Sequence, residues 1–237
     1  MWNSELPLTS PSAPTNSAST AVHAVSLAGE HVQLLADRAL LWTRTATLFV
    51  ADVHLGKAAA FRAGGIPVPQ GSTRTDLARL SALIAATNAQ RLVVLGDFLH
   101  AAAGRVDALD GAFRAWRQQH AALRLLLVRG NHDDRAGDPP PSWDVDVVAE
   151  PHPLSPFVAC HLPTEPPTGY ALCGHVHPGV RLSGAGERSA RLSCFVIGPR
   201  RAILPAFGSF TGLAMVRTIP DERLYAIAGT RIFALPA

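Results

Sequence analysis

The segment Arg91-Leu-Val-Val-Leu-Gly-Asp-Phe-Leu-His100 joins a short apolar run to a glycine, a carboxylate and an imidazole. Apolar runs of this length that end at glycine or a polar residue predict buried strands. Four further runs end at possible metal ligands: Thr47–Ala51 before Asp52 and His54, Leu125–Val128 before Asn131 and His132, Phe157–Cys160 before His161, and Tyr170–Cys173 before His175 and His177. In open α/β sheets, active sites lie beyond the carboxyl ends of the strands. We therefore expect one sheet to present all five clusters along one edge.

Length and composition are those of a globular protein. The chain has 237 residues, of which 48% are hydrophobic and 16% charged, so it can bury a substantial core. No segment approaches the roughly 20 apolar residues of a membrane helix, and the N-terminus lacks the pattern of a secretory signal. The three cysteines form no CxxC motif, which is typical of a reducing compartment. These features predict a cytoplasmic protein with no membrane partner.

The chain divides into a short tail and one domain. Residues 1–21 are rich in Ser, Thr, Pro and Ala and predict a flexible N-terminal tail, so residues 22–237 form the predicted single domain. Residues 56–72 contain several Gly and Pro residues and are expected to be largely loop. Two amphipathic helices follow, one from about Ser72 and one carrying Leu109, Phe113 and Trp116 on one stripe. From Trp143 onward short apolar segments predict mainly antiparallel strands.

The strand-end motifs, taken in order, identify a family. Asp-x-His, Gly-Asp-x-x-His, Gly-Asn-His-Asp, a lone His and Gly-His-x-His follow one another between residues 52 and 177. Each motif alone is weak evidence, but the ordered set resembles the calcineurin-like metallophosphoesterase superfamily. The resemblance implies a four-layer α/β/β/α sandwich of the α/β class, with mixed sheets and a dimetal site at the carboxyl ends of the strands.

Flanking segments suggest a closer relationship. The stretches His54-Leu-Gly-Lys-Ala-Ala-Ala-Phe-Arg62, Gly65-Ile-Pro-Val-Pro69, Gly96-Asp-Phe-Leu-His-Ala101 and Leu204-Pro-Ala-Phe-Gly208 resemble bacterial ligase-associated metallophosphoesterases of the PdeM type. That resemblance implies a DNA endonuclease of the DNA damage response, and it names a DNA ligase and a helicase as possible partners.

The superfamily resemblance also implies the metal ligands. One metal would take Asp52, His54, Asp97 and His177, and the other would take Asp97, Asn131, His161 and His175. A shared carboxylate can hold two cations about 3.5–4 Å apart. The donor set of carboxylates, imidazoles and one amide, without thiolate, favours two Mn²⁺ ions, with Fe or Zn as alternatives. His152 competes with His161 as the lone ligand, and we prefer His161 because it ends an apolar run.

Two histidines remain free for chemistry. By resemblance, His132 contacts the scissile phosphate as acid or charge stabiliser, and His100 assists. The alternative for His100 is a supporting role beside the ligands. Lys57, Arg62 and Arg74 follow the first ligand loop and could hold flanking phosphates, and the alternative for each is solvated surface. No interleaving of aromatic and basic residues of the kind that grips single strands is visible in the sequence.

The leading hypothesis is a dinuclear metal-dependent phosphodiesterase, a DNA endonuclease in DNA repair, that uses a metal-activated hydroxide for in-line attack on phosphorus. The alternative is a phosphoesterase with a small substrate, such as a nucleotide pyrophosphatase, cyclic-nucleotide diesterase or phosphatase. A non-catalytic scaffold of the same fold is disfavoured because every ligand position of the family pattern is filled.

Overall fold

The computed structural model describes residues 22–182, 189–217 and 219–236. These residues form two β-sheets and four α-helices. The tail predicted for residues 1–21 lies outside the described residues, so the division into a tail and one domain stays a prediction.

The first sheet follows the chain order of its seven strands. They are β1 (Val22–Leu27), β2 (Glu30–Leu35), β3 (Ala39–Trp42), β4 (Thr47–Val50), β5 (Arg91–Leu95), β6 (Arg124–Val128) and β7 (Asp146–Val148). The strands from β1 to β4 pair antiparallel as a meander. The strands from β4 to β7 pair parallel, because a crossover segment separates each from the next. This parallel half brings three of the predicted ligand clusters to one edge.

The second sheet has nine strands: β8 (His152–Leu154), β9 (Phe157–Ala159), β10 (Tyr170–Cys173), β11 (Pro178–Leu182), β12 (Ala190–Ile197), β13 (Arg201–Ile203), β14 (Ala214–Met215), β15 (Arg223–Ala228) and β16 (Arg231–Ala234). The expected antiparallel pairing is only partly correct, since β9, β10 and β13 form a parallel core and β14 pairs parallel with β11. The single-sheet expectation is wrong. The clusters after β9 and β10 belong to this second sheet.

The two sheets share one hydrophobic core. Phe49 and Val93 from the first sheet lie in one cluster with Phe157, Leu172 and Phe195 from the second. An isolated parallel bridge between Ala51 and Ala206 links the loops at the metal-ligand end of the two sheets. The carboxyl ends of β4, β5, β6, β9 and β10 therefore meet at one edge of the sandwich. The fold prediction of an α/β sandwich of two mixed sheets is confirmed.

The helices are α1 (Lys57–Ala63), α2 (Ser72–Thr87), α3 (Asp107–Gln119) and α4 (Asn131–Ala136). Leu80 of α2 and Phe113 of α3 pack with Leu92 and Leu127 in a core on the outer face of the first sheet. The outer face of the second sheet has its own apolar cluster, against which the non-helical segments at Val176, Val216 and Leu235 pack. Among the described residues, that outer cover contains no helix.

The expectation of a loop at residues 56–72 is wrong for the first part of this segment. Helix α1 occupies Lys57–Ala63 of this segment, and the extended chain begins only after it. Alanine is the strongest helix former, and Lys-Ala-Ala-Ala-Phe-Arg-Ala contains four alanines. The short helix lacks a wide apolar stripe, because Ala58 is its only buried residue. Across the described residues, no helix is both long and apolar enough to cross a membrane.

Candidate metal centre

The loops after β4 and β5 run side by side and set the geometry of the site. The backbone N–H groups of Asp52 and His54 donate to the carbonyls of Gly96 (3.1 Å) and Asp97 (2.9 Å). Further along, Leu55 and Leu99 form a parallel bridge, and the His100 N–H donates to the Leu55 carbonyl at 3.1 Å. The β-pairing therefore continues beyond the strands and carries His54, Asp97 and His100 to the same place.

Five of the seven predicted ligands adopt left-handed backbone conformations. The φ angles are 53° at Asp52, 52° at His54, 51° at Asp97, 70° at His175 and 52° at His177. Non-glycine residues seldom adopt this conformation, and it costs roughly 1–2 kcal/mol per residue. Such strain concentrates at functional sites, where the surrounding structure fixes it. The described structure thus holds these side chains by constrained turns at the strand ends.

Two glycines make room for the ligands. A Cβ on Gly96, which has a φ of 75°, would lie 2.1 Å from Nδ1 of His161. A Cβ on Gly130 would lie 2.4 Å from the backbone nitrogen of Asp97 and 2.5 Å from its Oδ1. These glycines allow the loops of three strands to approach within contact distance. The glycines of the Gly-Asp-x-x-His and Gly-Asn-His-Asp motifs are therefore packing requirements of the site.

Two groups of side chains bring potential ligand atoms within 4.8 Å of one another. One contains Asp52, His54 and His177, and the other contains Asp97, His161 and His175. Asn131 joins the second group, because its Oδ1 lies 3.0 Å from His161 Nε2. Asp97 lies between the groups, with its Oδ2 3.8 Å from His54 Nε2. The structure thus brings all seven predicted ligands together, and their assignment to two metals stays a prediction.

Histidine 161 shows why this arrangement fits a cation. Its side chain is fully buried, and its Nδ1 lies 3.1 Å from the carbonyl of Leu95, which can only accept a hydrogen bond. The proton of the neutral ring therefore belongs on Nδ1, and Nε2 carries a lone pair. Nε2 lies 3.0 Å from Asn131 Oδ1, 3.4 Å from Asp97 Oδ1 and 3.0 Å from His175 Nδ1, and both oxygens are acceptors. Converging acceptors in a buried place are what a metal ion requires.

A third group consists of three imidazoles, those of His54, His100 and His132. Nδ1 of His100 lies 3.3 Å from Nδ1 of His54, and the rings of His100 and His132 stack with their centroids 4.8 Å apart. Nδ1 of His132 donates to the His100 carbonyl at 2.8 Å, and Nε2 of this partly exposed ring lies 3.9 Å from Asp97 Oδ2. The two predicted catalytic histidines thus border the metal-ligand groups.

Burial keeps two of these rings uncharged. It lowers the pKa of His54 to about 2, and Lys57 and the neighbouring imidazoles act in the same direction. It also lowers the pKa of His100 to about 4, with smaller contributions from Lys57 and His132. Burial raises the pKa of the Asp97 carboxyl, which His161 partly opposes. At neutral pH both imidazoles therefore carry the lone pair that metal binding or proton acceptance needs.

Two buried or partly buried carboxylates hold the ligand loops through backbone N–H groups. Asp133 is fully buried and accepts hydrogen bonds from the backbone N–H groups of Leu99 (2.8 Å), Gly130 (2.9 Å) and Phe98 (3.3 Å). Glu150 accepts from the N–H groups of His161 (2.5 Å) and Leu162 (2.9 Å). In the sequence, His152 of the same Glu-Pro-His-Pro segment stands out as a possible ligand, whereas Glu150 does not. His152 itself lies on β8 and joins none of the three groups among the described residues.

The three predicted substrate-binding cations occupy two places. Lys57 is half-buried and close enough to Asp97 and Asp52 to interact with their charges, and burial lowers the pKa of its ammonium. Arg62 and Arg74 line a cavity of about 280 Å³ beside the start of α2. Nη1 of Arg62 also lies 3.3 Å from the Pro69 carbonyl. Only Lys57 therefore reaches the metal-ligand groups themselves.

Solved structures identify relatives of this chain. The nuclease MPE of Pseudomonas putida is 41% identical, covers 91% of this chain and 100% of its own, and gives a TM-score of 0.80. The phosphoesterase YfcE of E. coli is 17% identical, covers 77% of this chain and 88% of its own, and gives a TM-score of 0.35, which is too low to support an argument. No protein-family model and no curated protein matches the chain.

The fold and the clustered His and Asp side chains define a metal-dependent phosphoesterase, a hydrolase. With 41% identity over the full length of the Pseudomonas structure, the chain belongs to the metallophosphoesterase family of nuclease MPE.

Proposed function

We propose that this protein is a two-metal phosphodiesterase that cleaves DNA. The Pseudomonas relative is a nuclease, and the likeness to it extends over its whole chain. The site at the strand ends supports the same chemistry, because it gathers the ligand atoms for two neighbouring cations. When bound, two divalent cations neutralise charge on the phosphate and lower the pKa of water between them.

The observation that carries this proposal is the convergence of acceptor atoms on His161 Nε2. We assign Asp52, His54 and His177 to one cation and Asn131, His161 and His175 to the other. Asp97 would contact both. The carboxylate, imidazole and amide donors are borderline to hard ligands, which favours Mn²⁺ over a thiolate-selected metal.

His132 is our candidate for delivering a proton to the leaving oxygen. Its Nδ1 is held by the His100 carbonyl, and its backbone N–H donates to Asp97 Oδ1 at 2.8 Å. Both contacts orient Nε2 beside the metal-ligand groups, where a protonated ring can donate. The His100 carbonyl accepts from His132 Nδ1 and the His100 ring stacks on the His132 ring, so we assign His100 to positioning His132.

The cellular role is proposed from the flanking segments. Residues 54–62, 65–69, 96–101 and 204–208 resemble ligase-associated family members. We therefore place the enzyme in DNA repair, in the cytoplasm, with a DNA ligase and a helicase as partners. Lys57, Arg62 and Arg74 are the cations that we propose to hold the substrate phosphates.

One experiment tests the site and the substrate class together. Metal-free protein would be reconstituted with Mn²⁺ and incubated with bis(p-nitrophenyl) phosphate, p-nitrophenyl phosphate, and single- and double-stranded DNA. We expect about two Mn²⁺ per chain by elemental analysis and cleavage of the diester and of DNA. Hydrolysis of the monoester alone would refute the nuclease proposal and favour a phosphatase.

The matched variants are His161→Asn and His152→Asn. We expect the first to lose metal and activity, because it removes a buried ligand, and the second to keep both. Loss of metal in His152→Asn with full retention in His161→Asn would reverse our choice of ligand.

A further inference from the structure

An aromatic pair borders the metal centre, and the two rings come from distant parts of the chain. The Phe61 ring on α1 meets the Phe210 ring edge to face, with centroids 5.4 Å apart and planes at 76°. Lys57 Nζ lies 5.9 Å from both ring centroids. We call these two rings the aromatic wall. The chain has 6% aromatic residues, so two phenylalanines and its only lysine at one place form a distinctive surface.

The aromatic wall is continuous with the proposed site. The Phe61 ring lies 5.8 Å from the His100 ring, which in turn stacks on His132. Lys57, beside both rings, interacts with the charges of Asp97 and Asp52. A substrate whose phosphate reaches the proposed ligands would therefore place an adjoining group against these rings.

The aromatic wall is open to that group. Phe210 is 37% exposed, although most large apolar side chains of the protein are buried. It lies two residues beyond Gly208, whose N–H donates to the Asp52 carbonyl at 3.1 Å. The ring is thus exposed on a segment that is fixed to a proposed metal ligand. An accessible aromatic ring beside an ammonium group offers a flat apolar surface and a contact for a phosphate at once.

We propose that the aromatic wall stacks the nucleobase next to the scissile phosphate, while Lys57 holds the phosphate of the same nucleotide. This inference rests on the proposed nuclease function and adds specific base-contacting residues to it. Stacking on an aromatic ring is tolerant of base identity, because every base has a π-face. We therefore expect the aromatic wall to favour substrates that carry a base over abasic substrates. We expect it not to distinguish one base from another.

The test is a cycle that removes the ring and the base in turn. The substrates are short DNA oligomers with one phosphodiester among methylphosphonate linkages, flanked either by thymines or by abasic residues. We expect Phe210→Ala to lower kcat/KM for the thymine substrate by about tenfold, within the range measured for base–aromatic stacking. With the abasic substrate, Phe210→Ala and the wild-type enzyme should cleave at nearly the same rate. If Phe210→Ala lowered kcat/KM by the same factor for the abasic substrate as for the thymine substrate, the proposal would be overturned.

Two further variants exclude indirect effects. Phe233→Ala is the matched control, since Phe233 is also 37% exposed and has the Arg231 guanidinium 4.9 Å from its ring, but it lies on β16. It should leave both rates unchanged. Phe210→Trp should restore the preference for the thymine substrate. Equal Mn²⁺ content in all variants would show that the metal sites are intact.

A binding measurement keeps the proposal separate from the nuclease assignment. An uncleavable methylphosphonate oligomer carrying 2-aminopurine would be titrated with metal-loaded protein. We expect quenching of the fluorescence and about tenfold weaker binding for Phe210→Ala. DNA cleavage without ring–base coupling refutes only the stacking role. Absence of cleavage refutes the proposed function, and equal binding of the wild-type protein and Phe210→Ala then refutes the stacking role as well.

Discussion

Replacing Gly96 by alanine should damage one metal site while leaving the rest of the fold in place. The added Cβ would lie 2.1 Å from Nδ1, 2.4 Å from Cγ and 2.6 Å from Cβ of His161. Ordinary contacts with a Cβ lie at 3.4–4 Å, so the imidazole must move by about 1 Å. His161 is fully buried, and such a movement breaks its hydrogen bond to the Leu95 carbonyl.

The cost has two parts. Alanine at a φ of 75° loses about 1 kcal/mol relative to glycine, and overpacking a filled interior costs typically 1–3 kcal/mol. We therefore expect a loss of about 2–4 kcal/mol in the free energy of unfolding. A displacement of about 1 Å at a catalytic group can lower activity by about 100-fold, and we expect a loss of that order here.

Urea denaturation of the metal-free protein and elemental analysis of the metal-loaded protein measure the two effects. We expect Gly96→Ala to retain about one Mn²⁺ per chain in place of two. The control is Gly111→Ala on α3, where an added Cβ meets no atom within 4 Å and should stabilise the helix by about 0.5–1 kcal/mol. Wild-type stability together with a full complement of two metals in Gly96→Ala would contradict the packing argument.

Three further predictions follow from the site. Asp97→Asn should lose metal and diesterase activity together, whereas His132→Ala should keep metal and lose turnover; full diesterase activity in His132→Ala would refute its role. Asp133→Asn should destabilise the protein by about 2–3 kcal/mol in urea denaturation, because an amide N–H₂ then faces backbone donors. The control is Asp134→Asn at an exposed position, which should change stability by less than about 0.5 kcal/mol. The pKa of His54 is lowered in the fold to about 2 from an ordinary value of 6.5, so the unfolded chain takes up the proton first as the pH falls. The metal-free protein should therefore lose about 1.4 kcal/mol of stability per pH unit below 6.5 from this residue. His54→Asn should show a shallower dependence of the free energy of unfolding on pH. Parallel dependences in the wild-type protein and the variant would contradict this assignment.

Much of the site could be predicted because strand ends carry a local signal. The run Arg91–Leu95 ends at Gly96-Asp97 in the sequence, and the strand ends there in the structure. The clustering of the ligands after β4, β5 and β6 also follows from the chain order of the motifs, because these three strands are parallel neighbours in the first sheet. What the pattern could not give is the sheet to which β9 and β10 belong, because pairing partners are set by long-range contacts.

Three features escaped the sequence for identifiable reasons. The helix at Lys57–Ala63 has a high alanine content but little apolar periodicity, so the neighbouring Gly and Pro residues dominated its interpretation. Glu150 acts through backbone N–H groups, which have no sequence signature. The approach of Phe61 to Phe210 depends on tertiary folding alone, so no interleaving of aromatic and basic residues in the sequence could reveal it.

The left-handed turns at the strand ends also constrain how this protein can change. At Asp52 and Asp97, asparagine tolerates the left-handed turn and keeps the acceptor for the N–H groups of His175 and His132, but it lacks the charge that holds a cation. Selection for thermal robustness alone would therefore tend to erase the active centre before it touched the core. A library of heat-resistant variants should contain asparagine at these turns, and retention of aspartate there would report that hydrolysis is still under selection.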